Sequence, residues 1–353
     1  MIIYKWSISV SIYLHCCLSF RIDIKKCLSA AGTEGVCRLP LDCFAVKSSQ
    51  GSSNCSTGHI CCPKSRLSES RCDEYGDAVY GPSYDPYEMD EDQIDYREDE
   101  CGVGVVPLII GGLRAEYKEF PHMAAIGYGS HLTTAKWLCG GALVSESYIL
   151  TAAHCLVSPQ GEPRFVKLGV INLMTETSEH SQVFKVNKSI PHPRYTSPSK
   201  WHDIALIKLD MQVKFTPFVR PACLDYDGEI TVDTAVATGW GYTGNVIDEE
   251  SPNLLSVELD IAERSLCNRV YYEAFKGNLT SSLLCAGTQE NKDTCYGDSG
   301  GPLQTIRAKP YCMYSIIGVT SFGISCGHGF SSVYTRVFHY LPWLESVIWR
   351  TEL

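Results

Sequence analysis

The sequence has no excess of positive charge: its 353 residues sum to −10 at pH 7, so composition gives a nucleic-acid partner no support. It has little that could span a bilayer. The one sustained apolar stretch, Ile8 to Leu18, is too short to cross comfortably. It also lacks repeated CxxC pairs of the zinc type, so its cysteines do not read as a metal framework. What it has instead is eighteen cysteines, far too many for reduced thiols, and disulfides in an oxidising compartment are the natural reading. Lys5, the apolar stretch and small Ser19 have the layout of a secretory signal cleaved near residues 19–21, so residues 1–20 are expected to leave, with Cys16 and Cys17. The remaining cysteines are then even in number, and the mature chain is secreted and extracellular. Asn54, Asn187 and Asn278 head N-x-[ST] sequons, glycosylation candidates in an exported chain. Asn54 is the poorest, lying in an N-C-S triplet.

Three compositions follow one another. Residues 27–62 carry Cys27, Cys37, Cys43, Cys55, Cys61 and Cys62, and a segment so short needs disulfides in place of a core. Residues 63–108 form a linker whose stretch Asp73–Glu100 holds twelve acidic residues against Arg97 alone. Self-repulsion and lack of apolar periodicity predict an extended tether there; its five tyrosines leave sulfation or docking open. Residues 109–353 are short β-type runs broken by Gly, Pro, Asn and Ser, such as Gly141–Thr151, Ile204–Leu209, Ala235–Thr238 and Ile316–Ser321. Only Tyr340–Trp349 reads as an amphipathic helix, so the fold class is mainly β, a barrel domain with a C-terminal helix.

Acyl transfer needs a nucleophile, a base touching it, a group orienting the base, and donors for the oxyanion. Ser299 lies in Gly297-Asp298-Ser299-Gly300-Gly301-Pro302, where glycines permit a tight turn that aims successive N–H groups at one oxygen. His154 lies in Leu150-Thr151-Ala152-Ala153-His154-Cys155, where a disulfide at Cys155 could fix the imidazole. Asp203 stands before the apolar run Ile204-Ala205-Leu206, a strand entrance able to bury its carboxylate.

In the order His, Asp, Ser, these segments resemble the chymotrypsin-trypsin family, with Cys139-Gly140-Gly141-Ala142-Leu143 and Thr238-Gly239-Trp240-Gly241 as further matches. The resemblance implies a double six-stranded β-barrel and a serine endopeptidase needing no cofactor. His154 would take the proton of Ser299, Asp203 would hold the imidazole, and the N–H groups of Gly297 and Ser299 would bind the oxyanion. The Cys61-Cys62 doublet makes the small module similar to the clip domains that precede arthropod cascade proteases. Val106–Gly112 and Phe120–Ala125 resemble the insect immune and patterning members. The resemblance implies the clip pairs Cys27–Cys61, Cys37–Cys55 and Cys43–Cys62. In the protease domain it implies Cys139–Cys155, Cys267–Cys285, Cys295–Cys326 and a tether Cys101–Cys223. Cys72 and Cys312 remain and are expected to pair as a second tether. Val170 stands where calcium-binding relatives carry an acid, so no metal site is expected.

The same resemblance puts Asp293 at the base of the specificity pocket, favouring arginine or lysine before the cut. Gly323 would leave the pocket entrance open, Ser332 would narrow its wall, and Ser321 would contact the substrate backbone. Activation would free Ile109, whose ammonium pairs with Asp298. Leu108 then precedes the cut, so the activator must have an apolar pocket. Expected partners are protein substrates (a protease zymogen or cytokine-like precursor), that upstream protease and a serpin inhibitor, with no nucleic acid and no membrane. A non-catalytic clip-protease homologue is the second reading, disfavoured by the presence of Ser299. A digestive protease is a third, with little use for the clip-like module and tether.

Overall fold

The computed structural model describes residues 26–28, 34–38, 55, 60–63, 66–80, 113–174, 179–228, 230–241, 251–275, 277, 279–287, 298–307, 310, 312–323 and 331–349. The chain divides into two compact units, residues 1–64 and 65–353. In the first, β1 (Lys26–Leu28), β2 (Glu34–Arg38) and β3 (Ile60–Pro63) form an antiparallel sheet in that order. Cys27–Cys61 and Cys37–Cys55 staple it, and such staples do the work of a core in a segment this small. Cys43, and with it the pairing Cys43–Cys62, lies outside the described residues.

The second unit begins with a helix where an extended acidic tether was expected. This helix, α1 (Leu67–Tyr80), buries Ser68, Cys72, Tyr75 and Gly76, a spacing that puts all four on one face. Ser68 donates from its N–H and its Oγ to Glu345 Oε1 at 3.1 and 2.8 Å. The Tyr75 hydroxyl donates to Glu146 Oε2 at 3.1 Å and accepts from Trp349 Nε1 at 3.0 Å. Arg66 lies 5.0 Å over the Phe338 ring. Cys72 is bonded to Cys223 on β11 (Cys223–Leu224). Two expected pairings are therefore corrected. Cys101–Cys223 and Cys72–Cys312 do not form, because the packing of α1 delivers Cys72 to Cys223; Cys312 is in a disulfide of its own. The linker boundary moves as well, since residues 66–80 belong to the larger unit.

The first barrel comprises β5 (Met123–Tyr128), β6 (Lys136–Leu143), β7 (Tyr148–Thr151), β8 (Pro163–Leu168), β9 (Gln182–Pro191) and β10 (Ala205–Leu209). It closes in the order β10-β7-β6-β5-β8-β9. Alternation decides the faces: Ala205, Ile207 and Leu209 enter the barrel with Ile126, Leu143 and Val166, while Leu206 and Leu150 face the core outside it. Each fully buried aliphatic side chain contributes about 1.5–3 kcal/mol.

The second barrel comprises β12 (Thr234–Gly239), β13 (Leu255–Ala262), β14 (Leu283–Ala286), β15 (Pro302–Ile306), β16 (Tyr314–Phe322) and β17 (Ser332–Arg336). Pairings β12–β13, β13–β14, β14–β17, β17–β16, β16–β15 and β15–β12 close it. β11 adds to β16, and β4 (Leu113–Arg114) adds to β13. The run Gly141–Thr151 is two strands around a turn. A further helix, α2 (Arg264–Phe275), follows β13 and is anchored by Cys267–Cys285. The C-terminal helix α3 (Val337–Ile348) starts three residues earlier than its sequence pattern indicates and buries Val337, Tyr340, Leu341, Leu344 and Ile348, the stripe of an amphipathic helix.

A buried polar chain ties the barrels together. His122 donates from Nε2 to Gln304 Oε1 at 2.5 Å, and Gln304 Nε2 donates to Thr238 Oγ1 at 3.3 Å. His122 is 1% exposed, and desolvation lowers its pKa to about 4, opposed by the Gln304 bond. A depressed folded-state pKa gives stability that is complete above the unfolded value, near 6.5, and is lost as pH falls through the folded value. Between pH 6.5 and 4 this one group should remove about 3 kcal/mol. Urea midpoints measured across that range should fall less steeply in His122→Gln than in the wild type; equal slopes would show that His122 is not buried neutral.

Candidate active site

β7 ends at Thr151, and a 3-10 turn, Ala153–Leu156, carries His154 just beyond it. The Cys139–Cys155 disulfide ties that turn to β6. Asp203 immediately precedes Ile204 and β10, and is 3% exposed. Its Oδ1 accepts the His154 backbone N–H at 2.9 Å, and its Oδ2 accepts His154 Nδ1–H at 2.7 Å. The Ser321 hydroxyl also donates to Oδ2, and Thr335 Oγ1 donates to the Asp203 carbonyl at 2.8 Å. The carboxylate is thus fully engaged and cannot rotate. With the proton held on Nδ1, Nε2 is left as the basic nitrogen.

The approach to Asp203 is backed by other rings. His202 sits at φ 58°, an uncommon left-handed position for a non-glycine residue. Its Nδ1 meets the Tyr340 hydroxyl at 3.0 Å, and its ring stacks 5.1 Å from His192. Burial holds both imidazoles below the ordinary histidine range, with Arg194 and His339 adding to the effect; for His192 the value is about 4. Burial and the neighbouring cations thus favour the neutral form of both rings.

Ser299 is half-buried in the turn before β15. Its carbonyl accepts Gly140 N–H at 2.9 Å and lies 3.6 Å from Cys155 Sγ, so its backbone is pinned against the residue beside His154. Gly300 has φ 76°, and a Cβ there would lie 2.2 Å from Thr151 Oγ1 and 2.7 Å from Gly140 O. Only glycine fits that close approach. Asp298 turns the other way: its Oδ1 accepts Gly241 N–H at 2.9 Å. A Cβ on Gly239 or Gly241 would lie 2.0 or 2.5 Å from its carboxylate oxygens, so the Gly-Trp-Gly stretch is a cradle for Asp298.

Ser321 approaches the site through its hydroxyl on Asp203, and Phe322 and Gly323 continue from it. Ser332 is buried on β17 with its Oγ 3.0 Å from a Cβ built on Gly323. Asn187 is exposed on β9. Leu108, Ile109, Asp293, Gly297, the Cys295–Cys326 pair, Asn54 and Asn278 lie outside the described residues. The sequence reading missed the supporting roles of Ser321, Thr335, Gly140 and Thr151; Gly140, Thr151 and Ser321 lie in segments the sequence marked, whereas Thr335 carried no signal. Cys139, His154 and Cys155 bring donor atoms within 4.8 Å of one another, but the two sulfurs are bonded to each other and offer no thiolate to a metal. Among the described residues no helix is long and apolar enough to cross a membrane.

An imidazole oriented in this way beside a serine-bearing glycine turn is equipped for acyl transfer, and the frame of two six-stranded barrels is that of a chymotrypsin-like serine endopeptidase. Residues 109–344 match the family model described as Trypsin. The chain is 38% identical over 306 residues to serine protease snk of Drosophila melanogaster, covering 82% of this chain and 68% of that one. It is 32% identical over 359 residues to CLIP domain-containing serine protease B8 of Anopheles gambiae, covering 88% and 87%. It is 33% identical over 277 residues to phenoloxidase-activating enzyme 1 of Spodoptera litura, covering 73% and 72%. The chain belongs to the trypsin family of serine proteases, in its arthropod clip-domain branch.

Proposed function

We propose that the protein is the secreted zymogen of an endopeptidase that cuts after arginine or lysine and acts within an extracellular proteolytic cascade. The carrying observation for catalysis is the bond from His154 Nδ1 to a buried Asp203 carboxylate at 2.7 Å. His154 Nε2 takes the proton of Ser299 as Oγ attacks the scissile carbonyl. Asp203 stabilises the imidazolium, the N–H groups of Gly297 and Ser299 receive the oxyanion, and water hydrolyses the acyl-enzyme.

Specificity is assigned to Asp293, six residues before Ser299. A carboxylate at the base of a pocket is left unpaired by an apolar side chain, which is costly, and is matched by a guanidinium or ammonium. The substrate runs as an extended strand along Ser321–Gly323, with Ser332 in the pocket wall. A panel of peptides differing only at the residue before the cut should show arginine and lysine preferred over leucine and phenylalanine. The opposite order would remove the assignment of Asp293.

Activation is assigned to the bond Leu108–Ile109, with the freed Ile109 ammonium buried against Asp298. Leucine before that bond suits an activator with an apolar pocket, so the enzyme does not activate itself and occupies a tier below a protease of different specificity. The name phenoloxidase-activating enzyme carried by one relative, and clotting factor G beta subunit by another, from Tachypleus tridentatus, support a cascade role, with a protease zymogen or a cytokine-like precursor as substrate and a serpin as inhibitor. Everything ahead of the cut up to the clip-like module stays attached through Cys72–Cys223.

A further inference from the structure

A cation stands beside the substrate shelf with no carboxylate paired to it among the described residues. Lys200 lies three residues before Asp203 and is exposed. Its Nζ lies 4.3 Å from the centroid of the Phe322 ring. Phe322 directly follows Ser321, whose hydroxyl holds Asp203. Its ring is packed against others: Phe275 is 5.2 Å away and Tyr271 5.5 Å away, and Trp201 stacks edge-on against Phe275 at 4.8 Å. These rings come from α2 and from the loop before β10, so the shelf is built from three separate segments and is not a mobile surface.

Attraction between an ammonium and the face of a ring contributes about 0.5–1 kcal/mol at an exposed site. That is enough to localise a long flexible lysine and too little to neutralise its charge. Among the described residues no carboxylate pairs with Lys200. The ammonium is therefore held, exposed to solvent, over the ring that borders the catalytic aspartate's partner.

From this placement we propose that Lys200 is a specificity-determining residue that selects an acidic side chain in the two substrate positions preceding the arginine or lysine. The proposal rests on the reading of Ser321–Gly323 as the shelf along which an extended substrate lies. A residue on that shelf passes Phe322 just before the chain enters the pocket. An aspartate or glutamate there meets the Lys200 ammonium, whereas a lysine or arginine there meets a like charge. The protein's own activation segment has Val106 and Pro107 at those positions, so it lacks the acidic feature as well as the basic residue and is doubly unlike a substrate of its own active site.

The test uses the full chain activated by cleavage before Ile109 and peptides with a fixed arginine before the cut. The two preceding positions carry glutamate or aspartate, glutamine, or lysine. An exposed pair gained on one side and a repulsion removed on the other should favour the acidic peptides over the basic ones by about fivefold to tenfold in kcat/KM, and the ratio should shrink as salt is raised. In Lys200→Met the ratio should fall to near one, and in Lys200→Glu it should invert. Because the readout is a ratio within each enzyme preparation, a variant with a smaller active fraction still decides the matter. Equal rates for acidic and basic peptides in the wild type, or an unchanged ratio in Lys200→Glu, overturns the proposal. Failure of the pocket reading looks different: the fixed-arginine peptides would resist cleavage while leucine or phenylalanine peptides are cut, and the acidic-to-basic ratio would then be read on those.

Discussion

Ser299→Ala should lose nearly all peptidase activity, a fall on the order of a millionfold in turnover, while folding as the wild type does. The turn that carries Ser299 is held by backbone bonds: Gly140 N–H to the Ser299 carbonyl at 2.9 Å, Gly301 N–H to the Asp298 carbonyl at 2.9 Å, and Gly300 N–H to the Thr320 carbonyl at 2.9 Å. None of these uses the hydroxyl. His154→Ala should cost a similar amount, and the double variant little more, because nucleophile and base act as one unit. The measurement is turnover of an arginine peptide by purified, activated protein, with the cut before Ile109 verified by N-terminal sequencing. Turnover within a hundredfold of wild type in Ser299→Ala would mean that another group attacks the carbonyl.

The second large effect concerns activation. The uncut chain should be weaker than the cut one by at least the value of an oxyanion donor, about 10²–10³ in kcat. In the proposed activation the ammonium of Ile109 does not exist before the cut, and Asp298 would use it to set the Gly297–Ser299 turn. Asp298→Ala should show the same loss even after correct cleavage. The proposed class of activator rests on Leu108. Elastase-like and chymotrypsin-like proteases should generate the Ile109 terminus from the Ser299→Ala zymogen, and trypsin-like ones should not. Leu108→Arg should reverse that order and let wild-type enzyme process itself. Competent product beginning anywhere other than Ile109 would refute this account of activation, because a cut after Arg97 would leave surplus residues ahead of the insertion segment and a cut after Arg114 would remove it.

The parts of the fold legible in the sequence are those built from apolar periodicity. Ala205, Ile207 and Leu209 alternate into the first barrel, and the stripe from Val337 to Ile348 marks α3. The three segments around His154, Asp203 and Ser299 could be recognised because each carries a short, dense pattern. The helix α1 could not, because its buried face is Ser68, Cys72, Tyr75 and Gly76, a stripe with one large apolar side chain. What holds it is polar and covalent: Ser68 on Glu345, Tyr75 between Glu146 and Trp349, and the bond to Cys223. Acidic residues on the rest of α1 made the segment look like part of the tether. The misassigned partners of Cys72 and Cys223 follow from the same error, since a disulfide can form only where the backbone brings two Cα atoms together, here 5.0 Å apart. The helix α2 has Cys267, Tyr271 and Phe275 buried at helical spacing. Its Val270, Tyr271 and Tyr272 favour strands and hid that periodicity. The role of Gly239 and Gly241 was present as a motif, but its reason, the nearness of Asp298, is a long-range contact that no local pattern reveals.

The most direct test of the central claim is covalent labelling by a fluorophosphonate, which reacts with a serine activated by a neighbouring imidazole. Full-length protein should be labelled before and after cleavage ahead of Ile109, and the modified peptide identified by mass spectrometry. The account predicts fast, stoichiometric labelling of Ser299 in the cut protein, labelling slower by about 10²–10³ in the uncut protein, and none in Ser299→Ala. Labelling at another serine, or equal labelling of Ser299 with and without the cut, would contradict it.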